Sequence, residues 1–168
     1  MSTQDDLQAA FAGESQANRK YTAFARKADQ EMKPQVARIF RAAAYAETVH
    51  ALNHFRAMGM VKGTAENLNA GMEGEAYEFK QMYPGFLEAA KAAQDNPTAV
   101  KSFTYALEAE KGHYDLYSKA LEAVGKGQDL PSKKLWVCEI CGHTHEGDEA
   151  PDKCPICNAG KKAYTEIQ

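Results

Sequence analysis

The stretch YAETVH at residues 45–50 and the stretch LEAEKGH at residues 107–113 each contain Glu-x-x-His. The two pairs are Glu47 with His50 and Glu110 with His113, about sixty residues apart. Both lie in long stretches rich in helix-forming residues. On a helix, a spacing of three places both side chains on one face, a turn apart. A carboxylate–imidazole pair that occurs twice in this way indicates a metal site built on helices.

The sequence around these pairs predicts four helices, at roughly residues 4–29, 34–58, 65–94 and 97–125. Pro34 suits the first turn of the second helix, and Pro84 should bend the third. Each predicted helix has an apolar stripe with steps of three and four, and a glutamate interrupts each stripe near its middle. These glutamates are Glu14, Glu47, Glu75 and Glu110.

Four glutamates on core-facing stripes require a partner, because an unpaired buried carboxylate is too costly to keep charged. Bundles in which two helices each give one glutamate and two give Glu-x-x-His hold a pair of metal ions. Carboxylate and imidazole together suit iron or manganese better than calcium. The predicted ligands are Glu14, Glu47, His50, Glu75, Glu110 and His113, with Glu78 as a seventh candidate one turn after Glu75.

The C-terminal part of the chain has a different composition. All four cysteines lie there, at Cys138, Cys141, Cys154 and Cys157. Two Cys-x2-Cys pairs separated by twelve residues predict one metal ion held by four thiolates, and the spacing leaves iron and zinc both open. Glycine and proline at 125–132 indicate a linker, so the predicted domains are residues 1–127 and 128–168.

The overall composition excludes several classes of partner. The chain has 168 residues and a formal net charge of −3, so neither a nucleic acid nor an anionic membrane partner is indicated. Its apolar runs are too short to span a bilayer, and its N-terminus lacks the apolar segment of a signal peptide. We therefore expect a cytoplasmic protein.

The motifs together resemble those of the rubrerythrins along the whole chain. The matching segments are GES at 13–15, YAExxH at 45–50, EGExxE at 73–78, MYPG at 82–85, ExxH at 110–113 and the two cysteine pairs. The resemblance implies a mainly α fold, with a ferritin-like four-helix bundle followed by a small rubredoxin-like domain. It also implies two irons in the bundle and one iron at the four cysteines.

The resemblance implies a role for each ligand. The positions of Glu47 and Glu110 bridge the two irons. Those of Glu14, Glu75 and His113 are terminal ligands, and those of His50 and Glu78 exchange at one iron as the redox state changes. Tyr21 and Tyr83 match tyrosines that hydrogen-bond the ligand carboxylates. The chain departs from the family pattern at His143, where a tyrosine usually follows Cys-Gly.

The implied activity is the reduction of hydrogen peroxide to water, as a defence against oxidative stress. Electrons would reach the bundle through the four-cysteine iron from an external reductase or rubredoxin. Two other functions stay open at this point. One is a ferroxidase or iron-handling protein, and the other is a non-enzymatic metal-binding protein with zinc at the four cysteines.

The short connection at residues 59–64 predicts how the bundle is assembled. Ferritin-like bundles run helices two and three parallel, which would require roughly 30 Å of linker to bring Glu47 and Glu75 level. Six residues reach at most about 20 Å. We therefore favour a domain-swapped homodimer over a simple up-and-down bundle. Each site would take Glu14, Glu47 and His50 from one chain and its remaining ligands from the partner.

Overall fold

The computed structural model describes residues 2–168 and is mainly α-helical, with a small antiparallel sheet near the C-terminus. The mainly α class predicted from the sequence is confirmed. The chain forms two compact units, Met1–Lys62 and Gly63–Gln168. The predicted domain boundary at residue 127 stays a prediction. Within residues 2–168, no helix has the length and apolar character needed to cross a membrane.

The first unit is a helical hairpin of α1, Thr3–Gln30, and α2, Pro34–Ala57. The hydroxyl of Ser2 accepts a hydrogen bond from the Asp5 N–H and caps the start of α1. Pro34 lies in the first turn of α2, where a missing N–H leaves no intrahelical bond unmade. Both helix starts are therefore set by local sequence.

The two helices of this hairpin meet through alanines. The buried ones are Ala25, Ala28, Ala37, Ala44 and Ala51. Asn18 is also buried, and its amide donates to the Ala44 carbonyl at 2.6 Å and to the Thr48 hydroxyl at 2.7 Å. Larger apolar side chains stay accessible, with Phe24 exposed by 47% and Ile39 by 69%. The fully buried part of the hairpin interface is thus built from small side chains, and partly exposed aromatic pairs flank it, such as Phe11 with Phe55 at a ring distance of 5.0 Å.

The second unit begins with three helical segments where the sequence predicted one helix over 65–94. They are α3, Thr64–Tyr77, a π-helical segment, Glu78–Met82, and α4, Tyr83–Ala93. The Tyr83 N–H bonds to the Glu78 carbonyl, five residues earlier. Proline has no N–H, and its ring clashes with the preceding turn of an α-helix. The wider π turn directly before Pro84 relieves this conflict.

Helix α5, Pro97–Gly125, packs against α3, the π-helical segment and α4. Asn96 caps its start by accepting a hydrogen bond from the Ala99 N–H. The contact with α3 is close at Gly71, where an added Cβ would lie 3.1 Å from the ring of Tyr117. A glycine is therefore needed for α3 to approach α5 at this level.

The cysteine-rich module completes the second unit. It contains β1, Leu135–Cys138, β2, Thr144–Glu146, and β3, Tyr164–Ile167, which form an antiparallel sheet in the order β2-β1-β3. Its core consists of Cys138, Cys141, Ala150, Cys154 and Tyr164. Tyr105 of α5 packs against this core, and α5 also contacts β2. The module thus lies against α5 of its own chain.

Candidate metal centres

The first unit brings together the ligand candidates Glu14, Glu47 and His50, here called the N-terminal ligand group. Glu14 comes from α1 and the other two from α2. The Nδ1 atom of His50 lies 2.8 Å from Oε2 of Glu47 and 3.9 Å from Oε1 of Glu14. One donor atom from each residue lies within 4.8 Å of the others. The predicted Glu-x-x-His pair and the single glutamate therefore meet on the hairpin.

The second unit repeats this arrangement with Glu75, Glu110 and His113, here called the C-terminal ligand group. Glu75 comes from α3 and the other two from α5. The Nδ1 atom of His113 lies 2.7 Å from Oε2 of Glu110 and 3.7 Å from Oε1 of Glu75. Again one donor atom from each residue lies within 4.8 Å of the others. Each unit thus has two carboxylates and one imidazole that presents Nδ1 to them.

Electrostatics in the C-terminal ligand group favour a cation. Burial raises the pKa of Glu75 to about 7, and the negative charge of Glu110 adds to this effect. Burial and the charge of Glu110 also raise the pKa of Glu78. A divalent cation among these oxygens would offset both the desolvation and the repulsion. The donor set therefore suits the iron or manganese that its chemistry predicts.

Glu78 lies at the first position of the π-helical segment. Single π turns inside helices are rare and occur frequently at functional sites. The sequence predicted only a bend at Pro84, so this turn was missed. Pro84 marks the place of the irregularity but does not determine its form.

The two tyrosines singled out from the sequence lie in aromatic surroundings. The ring of Tyr21 is 6.4 Å from that of Phe40, and the ring of Tyr83 is 6.2 Å from that of Phe103. Burial, followed by the charge of Glu78, raises the pKa of Tyr83 and keeps its hydroxyl protonated. The proposed hydrogen bonds of both tyrosines to ligand carboxylates stay predictions.

The four cysteines converge as the sequence predicted. The sulfurs of Cys138 and Cys157 are 3.7 Å apart, and those of Cys141 and Cys154 are 3.4 Å apart. All four sulfurs lie within 4.8 Å of one another. A tetrahedral ion with metal–sulfur bonds of about 2.3 Å needs sulfurs about 3.8 Å apart. The cluster therefore fits a four-thiolate metal with little adjustment.

Each cysteine pair closes with the same turn. Gly142 follows Cys141 with φ +79°, and Asn158 follows Cys157 with φ +60°. The N–H groups of these two residues donate to the carbonyls of Cys138 and Cys154, both at 2.9 Å. Glycine and asparagine tolerate the left-handed region better than other residues. These turns point the sulfurs of each pair to one place.

One thiol of the cluster has a distinct environment. Burial opposes ionisation of Cys154, but hydrogen bonds from the Tyr164 hydroxyl and from backbone N–H groups outweigh it and lower the pKa of Cys154 to about 6. Burial raises the pKa of Cys141. The Tyr164 hydroxyl also lies 2.8 Å from Nδ1 of His143. Sequence reasoning missed Tyr164, because a contact across 21 residues leaves no local pattern.

A second contact was also missed, at the boundary between α5 and the cysteine-rich module. The hydroxyl of Thr144, the first residue of β2, lies 3.2 Å from Nε2 of His113. Thr144 and His113 are 31 residues apart, and this spacing follows no pattern from which the contact could be predicted. The contact joins a metal-ligand candidate to the cysteine-rich module.

Known proteins resemble this chain over almost its whole length. The family model described as rubrerythrin matches residues 5–121, and the rubredoxin-like domain of rubrerythrin matches residues 136–165. Rubrerythrin-2 of Clostridium acetobutylicum is 36% identical, covering 96% of this chain and 95% of the relative. Nigerythrin of Nitratidesulfovibrio vulgaris is 38% identical, covering 98% and 86%. A solved structure of mixed-valence nigerythrin has a TM-score of 0.57 and 36% identity, covering 99% and 87%.

These matches bear on three of the predictions. The fold, a ferritin-like domain followed by a rubredoxin-like domain, is confirmed. The cofactors, a pair of irons and an iron held by four cysteines, are confirmed as those of the matched family, and the structure groups the corresponding side chains. The family predicted from the motifs is confirmed as well, and the chain belongs to the rubrerythrins.

Proposed function

We propose that this protein is a peroxidase that reduces hydrogen peroxide to water with electrons from an external reductase or rubredoxin. The observation that carries the proposal is the contact between the cysteine-rich module and α5, which supplies Glu110 and His113. An iron store needs no such neighbour. A peroxidase that receives its electrons through a relay needs one, because the second centre must return electrons to the first after each turnover.

The overall reaction consumes one peroxide, two electrons and two protons, and releases two waters. When bound, the iron pair supplies both electrons for O–O cleavage, and the four-thiolate iron replaces them one at a time. The chain would hold the pair through its own side chains, with Glu47 and Glu110 proposed to serve both ions and with Glu14, Glu75 and His113 proposed to serve one ion each. His50 and Glu78 are the residues proposed to exchange at one position.

The remaining contribution of the chain is proton handling. Burial and the charge of Glu110 raise the pKa of Glu78, so its carboxyl holds a proton more readily than an exposed glutamate does. Tyr83 stays protonated and can donate a hydrogen bond to a neighbouring carboxylate. Tyr21 is proposed to play the same part in the N-terminal ligand group. These side chains would deliver protons to the departing oxygen atoms.

We propose further that two chains assemble as a domain-swapped homodimer. The boundary between the compact units falls between Lys62 and Gly63, and each unit carries one complete ligand group. The connection at 58–63 has six residues, with a reach of about 20 Å. From Glu47 to the end of α2 and from the start of α3 to Glu75, helical rise adds up to roughly 30 Å. An exchange of units between chains removes this mismatch.

A cytoplasmic location is part of the proposal. Four cysteines that hold a metal must stay reduced, and a reducing compartment keeps thiols in that state.

The test is a steady-state assay of peroxide consumption against oxidation of a reduced donor. We expect two electrons per peroxide, water as product and no accumulation of iron per chain. The Cys154→Ser variant should lose most of this turnover, yet a pre-reduced bundle should still be oxidised once. Unchanged turnover in this variant would rule out the electron relay. Iron deposition without donor oxidation would instead identify a ferroxidase, and a colourless four-cysteine site containing zinc would exclude the peroxidase.

A further inference from the structure

His113 is held from both sides of its ring. Its Nδ1 atom faces Glu110 at 2.7 Å, and its Nε2 atom faces the Thr144 hydroxyl at 3.2 Å. Glu110 belongs to the C-terminal ligand group, whereas Thr144 belongs to the cysteine-rich module. The ring therefore lies between the two predicted metal centres of the second unit.

The hydroxyl of Thr144 can satisfy both of its neighbours at once. It can accept from the Nε2–H of His113 while its own O–H donates to the Gly142 carbonyl at 3.4 Å. A neutral imidazole with its proton on Nε2 has a free lone pair on Nδ1, which is the atom that faces the carboxylates. A hydrogen bond at the second ring nitrogen fixes the tautomer and orientation of a metal-ligating histidine. Thr144 is placed to do this for His113.

The backbone directly before Thr144 connects it to the four-cysteine cluster, because Cys141 is only three residues away. Gly142 follows Cys141, and an added Cβ at Gly142 would lie 3.8 Å from the Cβ of Ala109 on α5. Ala109 is itself only 4% exposed. A cavity of about 480 Å³ beside this contact is lined by residues of both centres, including Glu110, His113 and Cys141. The two centres of the second unit are thus near neighbours, and Thr144 connects them.

We propose that Thr144 is a positioning residue that orients His113 and forms the hydrogen-bonded link from Cys141 through Gly142 to the C-terminal ligand group. Each four-cysteine iron would then pass its electron to the metal pair that contains His113 of its own chain. With both groups bound, the ferrous four-cysteine iron would lose one electron and the ferric pair would gain it. The purpose of this electron transfer rests on the proposed function, whereas the contact between Thr144 and His113 does not depend on it.

The matched variants are Thr144→Val, which keeps the shape of the side chain and removes the hydroxyl, and Thr144→Ser, which keeps the hydroxyl. Thr165→Val makes the same change at an exposed position of β3 and serves as the control. The iron-loaded full-length protein is mixed anaerobically with a small one-electron reductant that reduces the four-cysteine iron first. The return of the red ferric colour then reports electron transfer to the bundle, with no peroxide present.

Thr144→Val should slow the return of colour by about tenfold or more, the usual effect of removing such a supporting hydrogen bond. Thr144→Ser and Thr165→Val should stay within about threefold of the unaltered protein. Loss of bundle iron in Thr144→Val, with retention in Thr144→Ser, would equally support the orienting role. Equal rates in Thr144→Val and the unaltered protein would overturn the proposal, as would a rate in Thr144→Ser as slow as in Thr144→Val. Transfer without any peroxide turnover would instead refute the proposed function alone.

Discussion

The Tyr164 hydroxyl lies 2.8 Å from Nδ1 of His143, and the same hydroxyl hydrogen-bonds the sulfur of Cys154. His143 Nδ1–H can donate to the tyrosine oxygen while the tyrosine O–H donates to sulfur. Hydrogen bonds to cysteine sulfurs are among the factors that set the reduction potential of iron–sulfur sites. His143, which departs from the family pattern, therefore has a hydrogen-bond partner in Tyr164.

Tyr164→Phe should lower the reduction potential of the four-cysteine iron, because donation to sulfur stabilises the more negative, reduced state. A threefold to tenfold change in the redox equilibrium corresponds to about 30–60 mV for one electron. The measurement is a redox titration followed by visible absorption. Tyr114→Phe, on α5, is the matched control and should leave the potential unchanged. A potential that stays constant or rises in Tyr164→Phe would contradict this assignment.

Glu75→Gln should stabilise the metal-free protein at high pH. The pKa of Glu75 is raised to about 7 in the folded chain, so its ionisation on folding is unfavourable. The penalty is absent below the unfolded pKa of about 4.5 and complete above about 7. The advantage of the variant in melting temperature should therefore grow from about pH 5 to pH 8. With iron present, the unaltered protein should have the higher melting temperature, because the variant lacks the negative charge of one metal ligand. A difference that does not change with pH would argue against the raised pKa.

Asn18→Ala should weaken the helical hairpin of the first unit. The change removes the buried amide that donates to the Ala44 carbonyl and to the Thr48 hydroxyl, and leaves only the Thr48 hydroxyl as a side-chain donor to that carbonyl. Such a loss typically costs about 1–3 kcal/mol in the free energy of unfolding. Asn53→Ala, at an exposed position of α2, should change it by less than about 0.5 kcal/mol. Denaturant titration of both variants gives the comparison, and equal effects would show that the buried amide is dispensable.

Gly71→Ala and Gly85→Ala should change the free energy of unfolding by different amounts, although both glycines are helical. A Cβ at Gly71 would meet the Tyr117 ring at 3.1 Å, whereas a Cβ at Gly85 has nothing within 4 Å. Gly85→Ala should gain roughly 0.5–1 kcal/mol from helix propensity. Gly71→Ala should be less stable than Gly85→Ala by about 1–2 kcal/mol, because Tyr117 must move. Equal free energies of unfolding would mean that α3 and α5 separate without cost.

Local signals predicted the helices well where a proline or a cap fixes an end. The predicted starts at residues 34 and 97 coincide with Pro34 and Pro97 of α2 and α5. The third helix was predicted less well. Pro84 indicates that the helix is irregular near this position, but it does not indicate that the irregular turn is a π-helical segment. Periodicity placed one glutamate on each stripe, and the structure brings these glutamates together with the histidines in two groups of three residues.

The supporting contacts could not be predicted from one sequence. Thr144 meets His113 only after the cysteine-rich module has packed on α5. Tyr164 meets His143 only after the module itself has folded. A threonine in a short strand has many ordinary roles, and its spacing from His113 follows no helical or strand period. Such contacts depend on tertiary placement, which local patterns do not encode.

The interface between α1 and α2, whose fully buried side chains are mostly alanines, has a consequence for synthesis of the protein. The buried methyl groups remove little apolar area from water, and the aromatic pairs beside them, such as Phe24 with Phe40, stay partly exposed. The exposed Phe24 and Ile39 of the hairpin still require cover. As the first unit leaves the ribosome before the second, its exposed apolar side chains would stay uncovered until a complementary apolar surface has been made. Chaperone binding to nascent chains should therefore be strongest before α5 has emerged.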